Sequence, residues 1–222
     1  MNRRSFVAAL ALSVCAASLP GLAAAQSPHT HEHSFGGAEK WAQVFDDPKR
    51  DAWQKPHEVI HALALKPDAV VADIGAGTGY FSARLGHMLP QGKVYAVDTE
   101  PDMVKYLGER AKREGLKNVT PVSGKPDDPR IPQKIDLALM VDVYHHIGDR
   151  VGYFRKLSTY LKPGARVAII DFRMDSPDGP PKAMRIPPER IKSELKSAGY
   201  ELVQEHSFLP EQNFLIFRAA QG

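Results

Sequence analysis

The residues with the clearest chemistry lie in the stretch VADIGAGTGYF, residues 71–81. An apolar run of strand length ends there in an acid, and glycines follow at every second position: Gly75, Gly77 and Gly79. Because glycine adopts positive φ at little cost, this pattern predicts a tight strand-to-helix turn where a ligand can approach the backbone. The dinucleotide pattern G-x-G-x-x-G is not met, since Tyr80 stands at its third glycine position, and no phosphate-binding lysine follows the glycines.

Two aspartates indicate which charge the ligand carries. Asp73 stands two residues before the first glycine, where a carboxylate would repel a pyrophosphate but attract an ammonium or a sulfonium. Asp98 comes 19 residues after Gly79, at the end of a second apolar run, where a carboxylate can accept both hydroxyls of a ribose. A positive amino-acid end and a ribose together describe S-adenosylmethionine. The structural alternative is a tight turn with a solvated aspartate.

Two adjacent histidines, His145 and His146, follow a strong apolar run at residues 135–141. Imidazole titrates near neutral pH, so either histidine is a candidate base for an acceptor that must lose a proton. Adjacent side chains point in different directions, and we therefore expect at most one of them to be catalytic. The alternative is that both pack against or cap the following helix.

A second histidine group lies near the N-terminus, in the pattern H-x-H-x-H: His29, His31 and His33. Histidine-rich tracts can bind zinc or copper. Chain ends rarely hold a fixed coordination geometry, and we predict no metal site here.

The first 25 residues predict an export signal. A short basic start with Arg3 and Arg4 precedes an apolar run over residues 6–19, and small residues end at Ala25. This layout is typical of a cleavable signal peptide, and its apolar run is too short for a permanent membrane anchor. The arginine pair fits a twin-arginine signal, and a general secretory signal remains open. We expect export, to the periplasm if the source is bacterial.

Cleavage after residue 25 would leave 197 of the 222 residues and would remove Cys15, the only cysteine. Losing both arginines lowers the formal charge from +3 to +1. A charge so close to neutral argues against nucleic acid as the main partner, because phosphate binding needs a concentrated basic surface.

The rest of the chain alternates helices with strands. The predicted strands are residues 69–74, 93–98, 119–122, 135–141, 166–172, 200–206 and 214–218. The predicted helices are residues 38–45, 56–65, 78–89, 101–114, 149–160 and 189–198. This alternation predicts a mostly parallel sheet, whereas the short turn around Pro210 requires the last two strands to be antiparallel. We predict one α/β domain over residues 53–222, preceded by a polar segment over residues 26–52.

Four stretches, in this order, give a family resemblance: VADIGAGTGYF, VYAVDTEPDM, KIDLALMVDVYHHI and LKPGARVAIIDF. With them the sequence resembles the class I S-adenosylmethionine-dependent methyltransferases over most of residues 53–218. The resemblance implies a Rossmann-like fold with helices on both faces of a seven-stranded sheet. The implied strand order is 3-2-1-4-5-7-6, with the seventh strand antiparallel.

The resemblance also implies roles for individual residues. The methionine end of the cofactor would be wrapped by Asp73, Gly75, Ala76, Gly77 and Gly79. Asp98 would hold the ribose, Thr99 and Met103 would lie against the adenine, and Asp127 or Asp128 would take its amino group. Asp142 would face the reacting end of the cofactor, beside His145 and His146. The stretch RDAWQKP resembles a lid helix, in which Trp53 and Gln54 would contact the cofactor or simply pack.

The predicted activity is methyl transfer from S-adenosylmethionine to a small-molecule acceptor by direct displacement. The alternative is a binding module that holds the cofactor or its demethylated product without turnover. A proline-rich loop over residues 173–181 leaves the fifth strand on the ligand side, either as a wall of the acceptor pocket or as a stiff connector.

Overall fold

The structure, a computed structural model, describes residues 37–220. The expected signal peptide over residues 1–25 and the histidine run at residues 29–33 lie outside this range. The helices are α1 (Ala38–Phe45), α2 (Arg50–Gln54), α3 (Pro56–Ala62), α4 (Tyr80–Met88), α5 (Pro101–Arg113), α6 (Arg150–Ser158) and α7 (Pro188–Ser197). The strands are β1 (Val70–Ile74), β2 (Lys93–Asp98), β3 (Val119–Ser123), β4 (Ile135–Val141), β5 (Leu161–Phe172), β6 (Tyr200–His206) and β7 (Gln212–Ala219). Across residues 37–220, no helix is both long and apolar enough to cross a membrane.

Within the described range the strands form one sheet in the order β3-β2-β1-β4-β5-β7-β6. The pairs from β3 to β5 are parallel, and β7 runs antiparallel to both β5 and β6. A parallel crossover needs a dozen or more residues, and the connection from β6 to β7 is shorter than that. The predicted Rossmann-like sheet with an antiparallel last strand is confirmed.

Helices cover both faces of the sheet, as predicted. One hydrophobic core packs α3, α4 and α5 against the first face and includes Leu85 and Leu107. The other packs α6 and α7 against the second face and includes Phe154 and Ile191. Strands buried on both faces are almost continuously apolar, which explains why β1 and β4 stand out in the sequence.

Two elements near the site differ from the predicted ones. β5 begins at Leu161 rather than at residue 166, because Leu161 pairs with Ile135 before the register shifts. Lys162, Pro163 and Gly164, which were expected to lie between the preceding helix and the strand, are therefore part of β5. The first five residues of the stretch RDAWQKP form the short helix α2, which the resemblance implied but the apolar pattern did not, and the last residue begins α3.

The turn between β1 and α4 depends on its glycines. Gly75, Gly77 and Gly79 have φ values of 72°, 56° and 91°, in the left-handed region that favours glycine. The backbone N–H groups of Gly75 and Ala76 both donate to Val97 O, at 2.8 and 2.9 Å, which ties the turn to β2. A Cβ atom on Gly75 would lie 2.2 Å from Val143 Cγ2. The turn therefore lies directly against the segment that follows β4.

We expect Gly75→Ala to destabilise the protein more than Gly115→Ala does. The two glycines have similar φ values, 72° and 67°, but a Cβ on Gly115 would meet nothing within 4 Å. Both substitutions carry the strain of a left-handed alanine, about 1–2 kcal/mol. The clash with Val143 should add about 1–3 kcal/mol for Gly75→Ala, measured by urea unfolding. Equal losses for the two variants would show that Val143 yields without cost.

Candidate functional site

Asp73 is buried at the end of β1 and keeps its carboxylate beside the glycine turn. Ser82 Oγ, on the first turns of α4, donates a hydrogen bond to Asp73 Oδ2 at 2.6 Å. Burial is the main reason that the pKa of Asp73 rises to about 6, and the negative charge of Asp98 also raises it. The hydrogen bond from Ser82 and the positive charge of Arg50 lower this pKa without cancelling the effect of burial. A positive ligand charge would favour the ionised form of Asp73.

Asp98 ends β2 and accepts two backbone hydrogen bonds, from Gly77 N at 2.8 Å and from Glu100 N at 2.9 Å. Burial raises the pKa of Asp98, and these hydrogen bonds oppose the increase. The bond from Gly77 places the carboxylate against the turn, where the predicted ribose contact requires it. Of the two expected adenine contacts, Thr99 is exposed and Met103 is buried in the first turn of α5.

Asp127 and Asp128 lie on the loop between β3 and β4, with their side chains toward α6. Asp128 accepts a hydrogen bond from Tyr160 Oη at 2.7 Å and pairs with Lys156 Nζ at 3.0 Å. Burial is the largest single effect on the pKa of Asp128 and raises it, but the hydrogen bonds from Tyr160, Arg130 N and Lys156 together lower this pKa to about 2. Asp127 is exposed and lies 4.0 Å from Lys156 Nζ. Contact of either carboxylate with the adenine amino group stays a prediction.

Asp142 follows β4 with a φ of 59°, an uncommon conformation for a residue with a side chain. Its backbone N donates to Ile170 O at 2.9 Å, and Gln212 Nε2 donates to its Oδ1 at 2.5 Å. Burial and the charge of Asp171 raise the pKa of Asp142 to about 7, against the lowering effects of Arg50 and His145. The group therefore titrates near neutral pH, at the edge where the reacting end of a cofactor was expected.

The two histidines after β4 have different environments. His145 places Nδ1 at 2.9 and 3.0 Å from the two carboxylate oxygens of Asp171, and both side chains are buried. His146 is exposed, with its ring centroid 4.1 Å from that of His145. Burial alone would lower the pKa of His145, but the hydrogen bond and charge of Asp171, with the charge of Asp142, raise it overall. Because Asp171 occupies Nδ1, Nε2 of His145 is the nitrogen available for a substrate proton.

Sequence reasoning missed three polar residues of this region: Arg50, Asp171 and Gln212. Asp171 ends a buried apolar run at the same sheet edge as Asp98, a signal that could have found it. Arg50 and Gln54 stand four residues apart, the spacing of one helix face, and they are hydrogen-bonded. Gln212 has no signal in the sequence, since it reaches the site through a hydrogen bond with Gln54, 158 residues away.

Aromatic rings and a fixed loop border the site beyond β5. Trp53 packs against Phe172 with ring centroids 5.7 Å apart, so the packing role considered for Trp53 is observed. The proline-rich loop is held by Arg185, which is buried. Its guanidinium donates to four backbone carbonyls of the loop: Arg173, Ser176, Asp178 and Pro180. These hydrogen bonds hold the loop in one conformation, and both of its expected roles, as a wall of the acceptor pocket or as a stiff connector, stay predictions.

Helix α1 lies over the glycine turn. A Cβ on Gly77 would be 3.4 Å from the ring of Phe45, at the end of this helix. Arg110, on α5, fixes the position of α1 because its Nη1 donates to Asp46 Oδ1 at 2.8 Å and to Thr78 O at 3.0 Å. Together α1 and α2 form a cover over the carboxyl edge of β1.

The residues around the turn fit a nucleoside that carries a positive amino-acid end. The positive-φ glycines keep side chains away from the backbone, and the carboxylates of Asp73 and Asp98 flank it. Thr78 Oγ1 is buried and has no hydrogen-bond partner within residues 37–220, so it is a further polar atom that a ligand could satisfy. This set of groups corresponds to the one expected for S-adenosylmethionine.

Comparison with known proteins agrees with this chemistry. The profile of a family described as "Methyltransferase domain" matches residues 65–213. A protein-L-isoaspartate O-methyltransferase from Aeropyrum pernix is 34% identical over 76 residues, which is 34% of this chain and 29% of that protein. A ubiquinone/menaquinone biosynthesis C-methyltransferase from Shewanella frigidimarina is 24% identical over 123 residues, 54% of this chain and 48% of that protein. The chain thus matches about a third to a half of the length of these relatives.

Among solved structures, a SAM-dependent methyltransferase from Aquifex aeolicus superposes with a TM-score of 0.76 and 26% identity. The superposition covers 82% of this chain and 98% of the other. The two proteins therefore share the fold over most of the chain, and not only at the glycine turn. The chain therefore belongs to the methyltransferase domain family and has the class I fold, for which S-adenosylmethionine is the methyl donor.

Proposed function

We propose that the protein transfers the methyl group of S-adenosylmethionine to a small-molecule acceptor by direct displacement. The observation that carries the proposal is the position of Asp73 and Asp98 on the two sides of the glycine turn. These carboxylates match the positive end and the ribose of the cofactor. When bound, S-adenosylmethionine supplies an electrophilic methyl group on a sulfonium that departs as a neutral thioether. The chain itself has to bind, align and shield the reactants.

The cover over the site and the low net charge of the chain support a small acceptor. The cover of α1 and α2 closes over β1, and the loop fixed by Arg185 borders the site beyond β5. The chain carries a formal charge of only +3, which does not favour nucleic acid. By their names, the relatives above are a C-methyltransferase of ubiquinone/menaquinone biosynthesis and an O-methyltransferase of protein-L-isoaspartate. Of these two classes, a small molecule agrees better with a covered site.

We propose that His145 accepts the proton that the acceptor loses. In the proposed step the acceptor atom forms its bond to the methyl carbon, the carbon–sulfur bond breaks, and the acceptor's proton passes to Nε2 of His145. Asp171 holds the ring through Nδ1 and stabilises the imidazolium that forms. Acceptors that lose no proton would not need this residue.

We expect the protein to bind S-adenosylhomocysteine and to prefer it to NAD. Asp98→Asn should weaken this binding by about 1–3 kcal/mol, because charge-assisted hydrogen bonds to the ribose are lost. Glu109→Gln is the matched control, since Glu109 is an exposed acid on α5, the helix that follows Asp98. Calorimetry measures all three proteins, and tighter binding of NAD would contradict the cofactor assignment.

A transfer assay on the wild-type protein distinguishes an enzyme from a binding module. When the protein is incubated with labelled S-adenosylmethionine and a metabolite extract, a labelled small molecule should form. Saturable binding without transfer to any acceptor between pH 6 and pH 9 would support the module. Salt-sensitive retention of RNA would instead favour a nucleic-acid substrate.

We expect the pKa of His145 to lie above its ordinary value of 6.5 and to fall in Asp171→Asn. Since the base must be unprotonated, the transfer rate should increase with pH through that raised pKa. In Asp171→Asn the increase should move to lower pH. His145→Gln should lower the rate by about 100-fold or more, the scale of general base catalysis. NMR titration of the imidazole gives the pKa without an acceptor, and a pH–rate profile gives the rate.

His146→Gln is the control, because this neighbouring ring is exposed, and its rate should change by less than about threefold. Asp142 also titrates near neutral pH and has to be separated from His145. A pH-dependent increase that survives in His145→Gln and disappears in Asp142→Asn would assign the base to Asp142.

We further propose that residues 1–25 direct export, and that the exported protein carries cofactor or its demethylated product. The cover of α1 and α2 over the glycine turn supports retention of a bound nucleoside. Mass spectrometry of periplasmic protein should find a chain that begins at Gln26 together with the nucleoside. Arg3→Lys with Arg4→Lys keeps the charge and should block export if the twin-arginine route is used. Unchanged export or an empty protein would contradict export in the folded state.

A further inference from the structure

The turn that carries His145 is short and is held mainly by its surroundings. It is the 3-10 helix Tyr144–His146, which follows the end of β4. Its own backbone bonds join His146 N to Val143 O at 2.9 Å and Ile147 N to the carbonyl of its first residue at 3.2 Å. So short a 3-10 helix has poor hydrogen-bond geometry. The position of the imidazole therefore depends on the groups that fix the turn from outside.

Asp171 fixes the turn from the side of β5. Its Oδ2 accepts a hydrogen bond from His145 N at 3.1 Å, in addition to the contacts of both carboxylate oxygens with Nδ1 of the ring. Its Oδ1 also accepts from Phe172 N at 2.8 Å, which fixes the carboxylate relative to the strand. Within residues 37–220, the hydrogen bonds from Asp171 to the turn all reach His145. The residues on either side of this histidine are held by other groups.

Glu194 holds the same turn from the side of α7. Its Oε2 accepts hydrogen bonds from Tyr144 Oη and from Arg150 Nε, both at 2.6 Å. Its Oε1 accepts from Arg150 Nη2 at 3.2 Å and from Arg190 Nε at 2.9 Å. Tyr144 is fully buried, and the side chains of Glu194 and Arg150 are largely buried. One carboxylate thus joins α7, the first residue of α6 and the first residue of the turn.

Arg150 extends this contact to the other side of His145. Its Nη1 donates to Ile147 O at 2.9 Å, at the residue that follows the turn. Tyr144 comes directly before His145, and Ile147 comes two residues after it. Glu194 therefore secures the backbone on both sides of the histidine, directly through the tyrosine hydroxyl and indirectly through the guanidinium.

The carboxylate of Glu194 keeps its charge at neutral pH. Burial raises the pKa of Glu194, but the hydrogen bonds from Arg150, Tyr144 and Arg190, with the charge of Arg150, lower it to about 2. Hydrogen bonds to an ionised acceptor are shorter and stronger than those between neutral groups. The contact between α7 and the turn is therefore a strong one, and it does not change between pH 6 and pH 9.

We propose that Glu194 is a positioning residue, which holds through Tyr144 and Arg150 the turn that presents Nε2 of His145 to the acceptor. This inference rests on the proposed role of His145 as the base. That nitrogen has to lie within hydrogen-bond reach of the proton it accepts, and a displacement of about 1 Å can lower a rate by about 100-fold. Glu194 itself does not contact the reacting atoms.

The groups that face His145 make this link measurable. Burial lowers the pKa of His145, whereas the hydrogen bond and charge of Asp171 and the charge of Asp142 raise it. The ring of His146 lies 4.1 Å away, centroid to centroid. The charge of Glu194 is not one of the effects that set this pKa. A change in the pKa of His145 after substitution of Glu194 would therefore have to be transmitted by movement of the turn.

The test is Glu194→Gln, which keeps the size of the side chain and removes its charge. The hydrogen bond between His145 and Asp171 should form in fewer molecules, so the pKa of His145 should fall toward 6.5 in an NMR titration without an acceptor. The downfield NMR signal of the proton between Nδ1 and Asp171 should weaken. The rate of methyl transfer should fall by about 10- to 100-fold. The affinity for S-adenosylhomocysteine should change by less than about twofold, because the glycine turn is a separate site, and this binding shows that the variant is folded.

Tyr144→Phe is a milder second variant. It removes one hydroxyl and keeps the packing of the ring against Phe154, at 5.7 Å between centroids. The pKa of His145 and the rate should change in the same direction as in Glu194→Gln, by a smaller amount. This variant decides the question if Glu194→Gln does not fold.

Glu189→Gln is the matched control. Glu189 lies on the same helix, but its side chain is 81% exposed and pairs with Lys192 at 3.0 Å. This variant should leave the rate and the NMR titration of His145 unchanged. An unchanged pKa and Nδ1 signal in Glu194→Gln and Tyr144→Phe would overturn the proposal and assign Glu194 to the contact between α6 and α7 alone.

Failure of the proposed base would give a different result. The rate of methyl transfer would then survive in His145→Gln, whereas the NMR titration of the wild type and of Glu194→Gln needs no acceptor and no turnover. A shifted pKa in Glu194→Gln would still support the positioning of His145 by Glu194, and an unshifted pKa would still overturn it.

Discussion

The burial of four carboxylates at one edge of the sheet is the constraint around which this site is organised. Asp73, Asp98, Asp142 and Asp171 stand at or beside the carboxyl ends of β1, β2, β4 and β5. All four are buried or half-buried, and a buried carboxylate is costly unless hydrogen bonds or opposite charges compensate it. Parallel strands bring their carboxyl ends to the same edge, so the fold itself concentrates this negative charge.

The groups that stabilise these carboxylates differ from strand to strand along the edge. At β1 and β2 it comes from a hydroxyl and from backbone N–H groups, which stabilise a carboxylate but leave its charge in place. At β5 it comes from His145, which can take up a proton. The carboxylates beside the glycine turn therefore favour a positively charged ligand there, and the proton transfer that we propose for His145 would take place beside β5. In the proposed reaction, cofactor binding and proton transfer would thus lie at different strands of the same edge.

The parts of this site that the sequence predicted are those encoded by short-range patterns. Asp73 and Asp98 follow apolar runs of strand length, and the glycines report a turn that needs positive φ. Gln212 could not be predicted in this way, because its contact with Gln54 exists only once β7 has been inserted beside β5. The predicted start of β5 at residue 166 was wrong for a related reason. The strand begins at Leu161 because Leu161 pairs with Ile135, and this tertiary contact outweighs the local preference of Pro-Gly for a turn.

Arg50 also links the cover to the charge at the reacting edge. Its positive charge lowers the pKa of Asp142, against burial and Asp171, which raise that pKa to about 7. If α2 moved away from the sheet, this positive charge would leave with it, and Asp142 would bind a proton more readily at neutral pH. With α2 in place the pKa of Asp142 is about 7, so the carboxyl group is about half ionised at neutral pH.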